Sequence, residues 1–281
     1  PSPATLLSDL KTTGYTIIPS LLTPSELTTL RTAAAELTTL TRAGHWPHVR
    51  TVGKQFPPWP TPSPQSPLPI WGVQHLLHPN LPIPKPLRDA FTKIYFNDRL
   101  LSLCAMLASP ASHQDPNTTT PTDDLVMELF NMLVTPSPTQ AEPNSNNFSL
   151  RWHRDAIPPT ASPSEESTLL AHPAYHTQYN LPLYDDDSLL KAGDVVFYDN
   201  NILHRGVYEG GKERATLHGS VGHVGGSAAR ARNVLQHGVG GYVGECEFGC
   251  LEGTAREVAE GMRRRLVEMG RDGEVEYLLD G

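Results

Sequence analysis

Between residues 125 and 221 the sequence contains a series of short apolar runs that are separated by glycine, proline and asparagine. Runs of this kind at close spacing are typical of antiparallel β-structure. The predicted strands are residues 125–135, 148–155, 178–184, 194–199, 203–208 and 214–221. This pattern predicts a β-sandwich or a β-barrel in the middle of the chain.

Helical patterns flank these predicted strands on both sides. Thr23 and Glu26 form a capping box with Pro24 at the first helical position, which predicts that a helix begins there. Apolar residues at helical spacing continue this helix and predict further helical structure before and after the strands. The predicted helical regions are residues 23–44, 87–107 and 255–269.

A proline-rich segment follows the first of these predicted helices. Residues 47–69 contain eight of the 27 prolines in the chain. Proline lacks an amide donor and disfavours both helices and central strands. We therefore predict a long extended loop, which is either a lid or binding loop over a site or an excursion on the surface.

The length and composition limit the kind of protein that this chain can be. A chain of 281 residues fits one large domain, and we expect a helical N-terminal part at 1–124, a β core at 125–224 and a C-terminal extension at 225–281. The formal net charge of -8 disfavours nucleic acid as a partner. No segment approaches the roughly 20 apolar residues that a transmembrane helix needs, so we expect no membrane association.

The cysteine content gives one further expectation. Cys104, Cys246 and Cys250 are too few for a disulfide framework, and they lack the spacing of a zinc site. We interpret all three as packing thiols in a reducing compartment and expect a cytosolic protein.

The segment from Arg151 to Asp155 reads Arg-Trp-His-Arg-Asp and is the first candidate for chemistry. On a strand, His153 and Asp155 project from the same face and can share one ligand. His204 follows a predicted buried strand and an Asn-Asn turn, and supplies a second imidazole. Two histidines and one carboxylate form the facial triad that binds iron(II) in non-haem oxygenases.

An arginine lies ten residues after His204. Residues 209–212 form a turn signal midway between His204 and Arg214, so we predict a hairpin that places these two residues opposite each other. A guanidinium near the metal can hold a carboxylate through two parallel hydrogen bonds. Iron(II) and Arg214 together would suit a 2-oxo acid that chelates the metal and has a second carboxylate.

With these residues in place, the sequence resembles the phytanoyl-CoA dioxygenase family of iron(II)- and 2-oxoglutarate-dependent oxygenases, in particular its fungal members. The resemblance covers residues 125–221, and its clearest parts are 152–155 and 193–221. It implies a mainly β fold with flanking helices, built on a double-stranded β-helix of the jelly-roll type. It also implies iron(II), 2-oxoglutarate and molecular oxygen as cofactor and co-substrates.

The family's functional residues match four positions of this chain. Its metal ligands correspond to His153, Asp155 and His204, and its 2-oxoglutarate arginine corresponds to Arg214. Two asparagines are further candidates for contacts to the co-substrate, or are core residues that satisfy hydrogen bonds. These two residues are Asn131 and Asn180.

One departure from the family pattern lies at Leu190 and Lys191. The family usually has a Pro-Gly-Ser-His turn and a longer loop at this point, whereas here the two residues are adjacent. Either this chain has lost that loop or the sequence omits it.

The sequence therefore predicts a dioxygenase that hydroxylates, or otherwise oxidises, a small organic molecule and releases succinate and carbon dioxide. The main alternative is a non-catalytic β-helix that binds a metal and acts as a scaffold or binding protein. A zinc hydrolase with the same ligands is a third possibility, but it gives no role to Arg214.

Overall fold

A computed structural model gives the structure of residues 1–109, 115, 121–136, 147–155, 157–171, 175–185, 190–209 and 211–271. Its centre consists of two antiparallel β-sheets. The strands are β1 (Tyr15–Ile18), β2 (Val49–Thr51), β3 (Ile70–Val73), β4 (Leu125–Val134), β5 (Asn147–Ser149), β6 (His176–Pro182), β7 (Val195–Tyr198), β8 (Val207–Glu209) and β9 (Ala215–His223). The larger sheet has the order β1-β7-β6-β9-β4-β3-β2, and β5 pairs with β8 in the smaller sheet.

Helices lie before, between and after these strands. They are α1 (Pro3–Thr13), α2 (Pro24–Arg42), α3 (Lys85–Tyr95), α4 (Asp98–Ala108), α5 (Pro163–Leu170), α6 (Ala228–Gln236) and α7 (Gly253–Gly270). The predicted capping box of α2 is present, with both of its reciprocal hydrogen bonds. The predicted helical region at 87–107 is two helices, because Asn97 caps the start of α4 through its side chain.

Aromatic side chains fill the space between the two sheets. Trp71 of β3 lies 6.3 Å from Phe148 of β5 and 6.4 Å from Tyr208 of β8, measured between ring centroids. Leu133 of β4 belongs to the same buried cluster. The larger and smaller sheets therefore pack face to face, and the prediction of a mainly β, jelly-roll-type fold with flanking helices is confirmed.

The prediction that residues 47–69 form only an extended loop is wrong in its first part. Val49–Thr51 forms β2, which pairs with β3 and lies at the edge of the larger sheet. An edge strand needs donors on one side only, and these three residues precede the dense prolines. This short strand matters because it carries Arg50.

The predicted hairpin between 203–208 and 214–221 is also wrong. β8 pairs with β5 in the smaller sheet, whereas β9 pairs with β4 and β6 in the larger one. The chain thus crosses from one sheet to the other at the turn. β5 and β8 form the smaller sheet by pairing with each other. The longer β9 instead lies between β4 and β6 in the larger sheet.

A buried ion pair joins α6 to the larger sheet. Arg230 donates from Nε to Glu128 Oε1 at 3.0 Å and from Nη2 to Oε2 at 2.5 Å. Glu128 is 2% exposed, so burial opposes its charged form, but the charge of Arg230 outweighs burial and lowers the pKa of Glu128. Each side chain therefore supplies the opposite charge and the hydrogen-bond partners that the other needs.

Some predicted features involve residues that the structure does not describe. These are Gly210 in the predicted turn, residues 186–189 beside the departure at Leu190, and residues 272–281 of the predicted extension. Among the described residues, no helix combines the length and apolar character needed to cross a bilayer.

The packing of β6 against β9 gives a first prediction. Gly219 pairs with Tyr179, and a Cβ atom on Gly219 would lie 2.3 Å from Cζ and Oη of the buried Tyr179 ring. We expect Gly219→Ala to lower the free energy of unfolding by roughly 1–3 kcal/mol through overpacking. Urea denaturation measures this change. Gly241→Ala is the matched control, because its Cβ would meet no atom within 4 Å, and equal losses in both variants would contradict the expectation.

Candidate metal centre

Two segments of the chain, 147–155 and 200–209, run antiparallel beside each other and form the base of the site. β5 and β8 supply the regular part of this pairing, and an isolated β-bridge between His153 and His204 extends it. The two backbones exchange hydrogen bonds at this bridge, each with an N···O distance of 3.0 Å. The two histidines are therefore direct cross-strand neighbours, and their ring centroids lie 4.5 Å apart.

Asp155 completes the group two residues further on. Its amide N–H donates to the carbonyl of Asn200 at 2.9 Å, which fixes the backbone beyond the bridge. Asp155 Oδ1 lies 3.3 Å from Nε2 of His153, and Oδ2 lies 3.7 Å from Nε2 of His204. One ligand atom from each of the three residues lies within 4.8 Å of the others, so a single cation can contact all three.

Hydrogen bonds fix the orientation of each potential ligand. Nδ1 of His153 lies 2.9 Å from the carbonyl oxygen of Arg151, and Nδ1 of His204 lies 2.9 Å from that of Ile202. A carbonyl oxygen only accepts, so each Nδ1 carries a proton, and each Nε2 is the ring nitrogen that can bind a metal. Gln178 of β6 donates from Nε2 to Asp155 Oδ2 at 2.9 Å and holds the carboxylate.

The electrostatic environment keeps Asp155 ionised. Burial raises the pKa of this carboxyl, but the hydrogen bond with His153 and the charges of His204 and His153 outweigh burial and hold the pKa well below its usual range. For His153, burial lowers the pKa, and the hydrogen bond and charge of Asp155 raise it above the ordinary value. The carboxylate and the imidazoles thus attract the same positive charge, which a metal ion can supply in place of a proton.

The three residues open into a cavity of about 410 Å³ between the two sheets. This volume is in the range of sites for small organic molecules. Arg214 lines the same cavity, although the hairpin predicted to place it there does not form. Its Nη1 donates to the carbonyl of Val207 at 2.9 Å and its Nε donates to Thr216 Oγ1 at 3.1 Å.

The two candidate asparagines occupy different places. Asn180 lines the cavity, and its Oδ1 lies 2.9 Å from Nδ1 of His218. Asn131 does not line this cavity; it is 1% exposed, and its Oδ1 accepts a hydrogen bond from the amide of His75 at 3.0 Å. This hydrogen bond fits the alternative that the sequence left open, a core residue, but Nδ2 of Asn131 is buried without a partner among the described residues, and its contact to the co-substrate stays a prediction.

Sequence reasoning missed two residues of the site. Gln178 was detectable, because it precedes Asn180 by two residues on one strand and so faces the same side. Arg50 also lines the cavity, but the prolines that follow it argued against a strand at this position. The proline-rich segment contributes further to the lining through Gln55, Phe56 and Trp59, in agreement with a binding loop.

Comparison of the sequence with protein-family models and with curated protein sequences gives no match. The chain is similar in structure to AviO1 from Streptomyces viridochromogenes, with 17% identity, a TM-score of 0.48, and coverage of 79% of this chain and 95% of that chain. It is also similar to EctD from S. alaskensis with bound Fe, with 14% identity, a TM-score of 0.48, and coverage of 80% and 79%.

A third similar structure is SnoN, a non-heme alpha ketoglutarate dependent epimerase from nogalamycin biosynthesis. It has 14% identity and a TM-score of 0.46, with coverage of 78% of this chain and 81% of that chain. Other structures contain EctD with 2-oxoglutarate and 5-hydroxyectoine, and SnoN with Fe3+ and alpha ketoglutarate. Because all these TM-scores are below 0.5, we infer the function from the geometry of the metal centre and not from these likenesses.

The hydrogen bond between Gln178 and Asp155 gives a second prediction. We expect Gln178→Ala to weaken Mn(II) binding about 10- to 100-fold, because residues that orient metal ligands have effects of this size. Asp155→Ala removes a ligand and should weaken binding more. Isothermal titration calorimetry measures both affinities. Gln236→Ala, on the exposed end of α6, is the control and should bind Mn(II) with the affinity of the unaltered protein. Unchanged Mn(II) affinity in Gln178→Ala would contradict the role of Gln178 in orienting Asp155.

Proposed function

We propose that this chain is a non-haem iron(II)- and 2-oxoglutarate-dependent dioxygenase that hydroxylates a small organic molecule. The observation that carries the proposal is the convergence of His153, Asp155 and His204 in a cavity that also contains the guanidinium of Arg214. Each of these features occurs separately in many proteins. Their combination matches what an iron ion and a chelating diacid require.

The donor set supports iron(II). Two imidazole nitrogens and one carboxylate oxygen on one side of a metal form the facial triad, and they leave the other coordination positions open. His153, Asp155 and His204 approach from two adjacent backbone segments, so they occupy one side of any ion that they share. A zinc hydrolase would use a similar set, but it would not need the guanidinium of Arg214 in the same cavity.

Arg214 supports 2-oxoglutarate as co-substrate. The Val207 carbonyl and the Thr216 hydroxyl fix two of its nitrogens, and its Cζ lies 4.8 Å from the centroid of the Tyr208 ring. Nη2 has no hydrogen bond to a described residue, so it is available for a carboxylate. The buried hydroxyl of Tyr208 also has no partner among the described residues and can add a second donor.

The residues of the chain would divide the work between them. Iron(II) held by these residues would use molecular oxygen to convert 2-oxoglutarate to succinate and carbon dioxide, with one oxygen atom going to succinate and the other to a substrate C–H bond. Gln178 keeps Asp155 in its orientation, and the carbonyls behind His153 and His204 keep each Nε2 toward the metal. The ring of Phe56 lines the cavity and lies edge-to-face against that of His153, with 5.7 Å between the ring centroids.

Membership of the phytanoyl-CoA dioxygenase family is a finer part of the proposal. It is supported by the match of His153, Asp155, His204 and Arg214 to that family's pattern, and by a jelly-roll-type core. No family model matches the chain, so the resemblance remains a prediction from these residues.

Turnover of 2-oxoglutarate tests the proposed activity. We expect the protein with Fe(II) and oxygen to convert 2-oxoglutarate to succinate, and His153→Ala to reduce the rate at least about 100-fold because a metal ligand is lost. Succinate is measured by mass spectrometry. His45→Ala is a matched control outside the cavity and should keep the full rate. Equal rates in the protein and in His153→Ala would contradict the proposal, and metal binding without turnover would favour the scaffold alternative.

The role of Arg214 has its own test. We expect Arg214→Met to raise the KM for 2-oxoglutarate about 10- to 100-fold, because a hydrogen bond to a charged group contributes roughly 1.5–3 kcal/mol. Mn(II) affinity should remain unchanged, since Arg214 is not a metal ligand. Arg256→Met, on the exposed face of α7, is the control. An unchanged KM in Arg214→Met would remove Arg214 from the co-substrate site.

A further inference from the structure

Four arginines among the described residues line the cavity, and the function proposed above gives a role to Arg214 alone. Arg50 lies on β2, directly opposite Gly72 of β3. A Cβ atom at Gly72 would lie 3.0 Å from Cδ of Arg50, so the absence of a side chain there leaves room for the arginine stem. The stem lies across the neighbouring strand, and the guanidinium reaches the space between the sheets.

Two tryptophans hold this guanidinium in place. Cζ of Arg50 lies 5.2 Å from the centroid of the Trp71 ring and 5.7 Å from that of Trp59. Both indoles are themselves fixed, because Trp71 donates from Nε1 to the carbonyl of Thr51 at 2.9 Å and Trp59 to that of Lys54 at 3.0 Å. Contacts with aromatic faces stabilise the cation but do not use its N–H donors, which lie in the plane of the group.

Arg50 has no acceptor among the described residues. It makes no ion pair or hydrogen bond with them, and its Nε is buried without a partner. Burial lowers the pKa of Arg50, and Tyr208 and Asp155 act in the opposite direction, which places the guanidinium within electrostatic range of a metal ligand. An arginine nevertheless stays charged in proteins. A partly buried cation with no hydrogen-bonded anion is unfavourable, and a ligand that supplies the anion would relieve it.

The charges of the other arginines in the cavity are stabilised in different ways. Arg230 forms its ion pair with Glu128, and Arg205 is exposed to solvent and stacks on Trp152 at 4.9 Å. Arg214 is assigned to the distal carboxylate of 2-oxoglutarate. Among the described residues of the cavity lining, Arg50 is therefore the partly buried arginine that has neither an ion pair nor an assigned ligand.

The sum of formal charges in the cavity also indicates that one positive charge lacks a partner. An iron(II) ion together with Asp155, Arg50 and Arg214 carries three positive charges, and 2-oxoglutarate brings two negative charges. One positive charge then remains in a partly buried space. A substrate with a single negative charge would complete the balance, whereas a phosphate would exceed it.

We propose that Arg50 binds the carboxylate of the organic substrate, so that the preferred substrates are monocarboxylic acids. This inference rests on the proposed function, because it assumes that Arg214 and the metal hold 2-oxoglutarate. The planar guanidinium can form two parallel hydrogen bonds to a carboxylate, and the flanking Trp59 and Trp71 provide apolar surface for the carbon atoms next to it. Arg50 thus determines specificity and does not take part in the oxidation.

Binding of matched acids and amides tests the proposal. The probes are phenylacetate, indole-3-acetate and decanoate, each with its primary amide, titrated into protein loaded with Mn(II) and 2-oxoglutarate. We expect at least one acid to bind about tenfold more tightly than its amide, as a charge-assisted hydrogen bond would give. Arg50→Met should abolish this preference. Arg50→Lys keeps the charge but loses the two-pronged geometry, so it should retain part of the preference.

Arg205→Met is the matched control, because Arg205 also lines the cavity and stacks on a tryptophan, Trp152, but is solvated. It should keep the preference for acids. Circular dichroism verifies that each variant is folded. If Arg50→Met does not fold, the acid preference of Arg50→Lys tests the proposal in its place. Affinity for 2-oxoglutarate should stay within about threefold of the unaltered protein in Arg50→Met and fall in Arg214→Met.

Three results would overturn the proposal. The first is that no acid in the set binds the unaltered protein more tightly than its amide. The second is that Arg50→Met loses 2-oxoglutarate binding as Arg214→Met does, which would make Arg50 part of the co-substrate site. The third is tighter binding of phenyl phosphate than of phenylacetate. A failure of the proposed function is distinguishable, because Mn(II) and 2-oxoglutarate would then not bind, while the preference for acids can still be measured on unloaded protein.

Discussion

The antiparallel pairing of residues 147–155 with residues 200–209 is the constraint on which the site depends. It places His153 directly opposite His204 and fixes both backbones through reciprocal hydrogen bonds. Asp155 then reaches the same point because its own amide is held by the second segment. The three ligands therefore come together through backbone pairing, and the side chains need little further ordering when a cation binds.

The cavity behind this pairing brings several charges close together in a partly buried space. Each charge must be balanced, since an isolated charge in such a space is costly. Glu128 and Arg230 balance one another within the protein, whereas the carboxylate of Asp155 lies beside the imidazoles of His153 and His204 and would be balanced by a metal ion. Arg50 and Arg214 have no carboxylate partner among the described residues. A metal ion would balance the charge of Asp155, and two organic anions would balance the charges of Arg50 and Arg214.

Much of the fold and of the metal centre could be predicted from the sequence. The strand pattern gave the β core, and His153 and Asp155 stood out because their spacing is short and local. Strand pairing was harder to predict, since a turn signal at residues 209–212 does not tell whether the next strand joins the same sheet or crosses to the other. The predicted hairpin was wrong for that reason, yet Arg214 still reaches the cavity because both sheets face it.

Arg50 could not be predicted, because its importance arises from contacts with Trp59 and Trp71 that are distant from the metal ligands in sequence. These three residues lie outside the segments that bind the metal. In the proposed function, the residues that would select a substrate and the residues that would hold the metal are consequently separate along the chain. Variation in residues 50–71 would then change which compounds are accepted while the candidate metal ligands stay the same, and one metal centre would serve different substrates in the course of evolution.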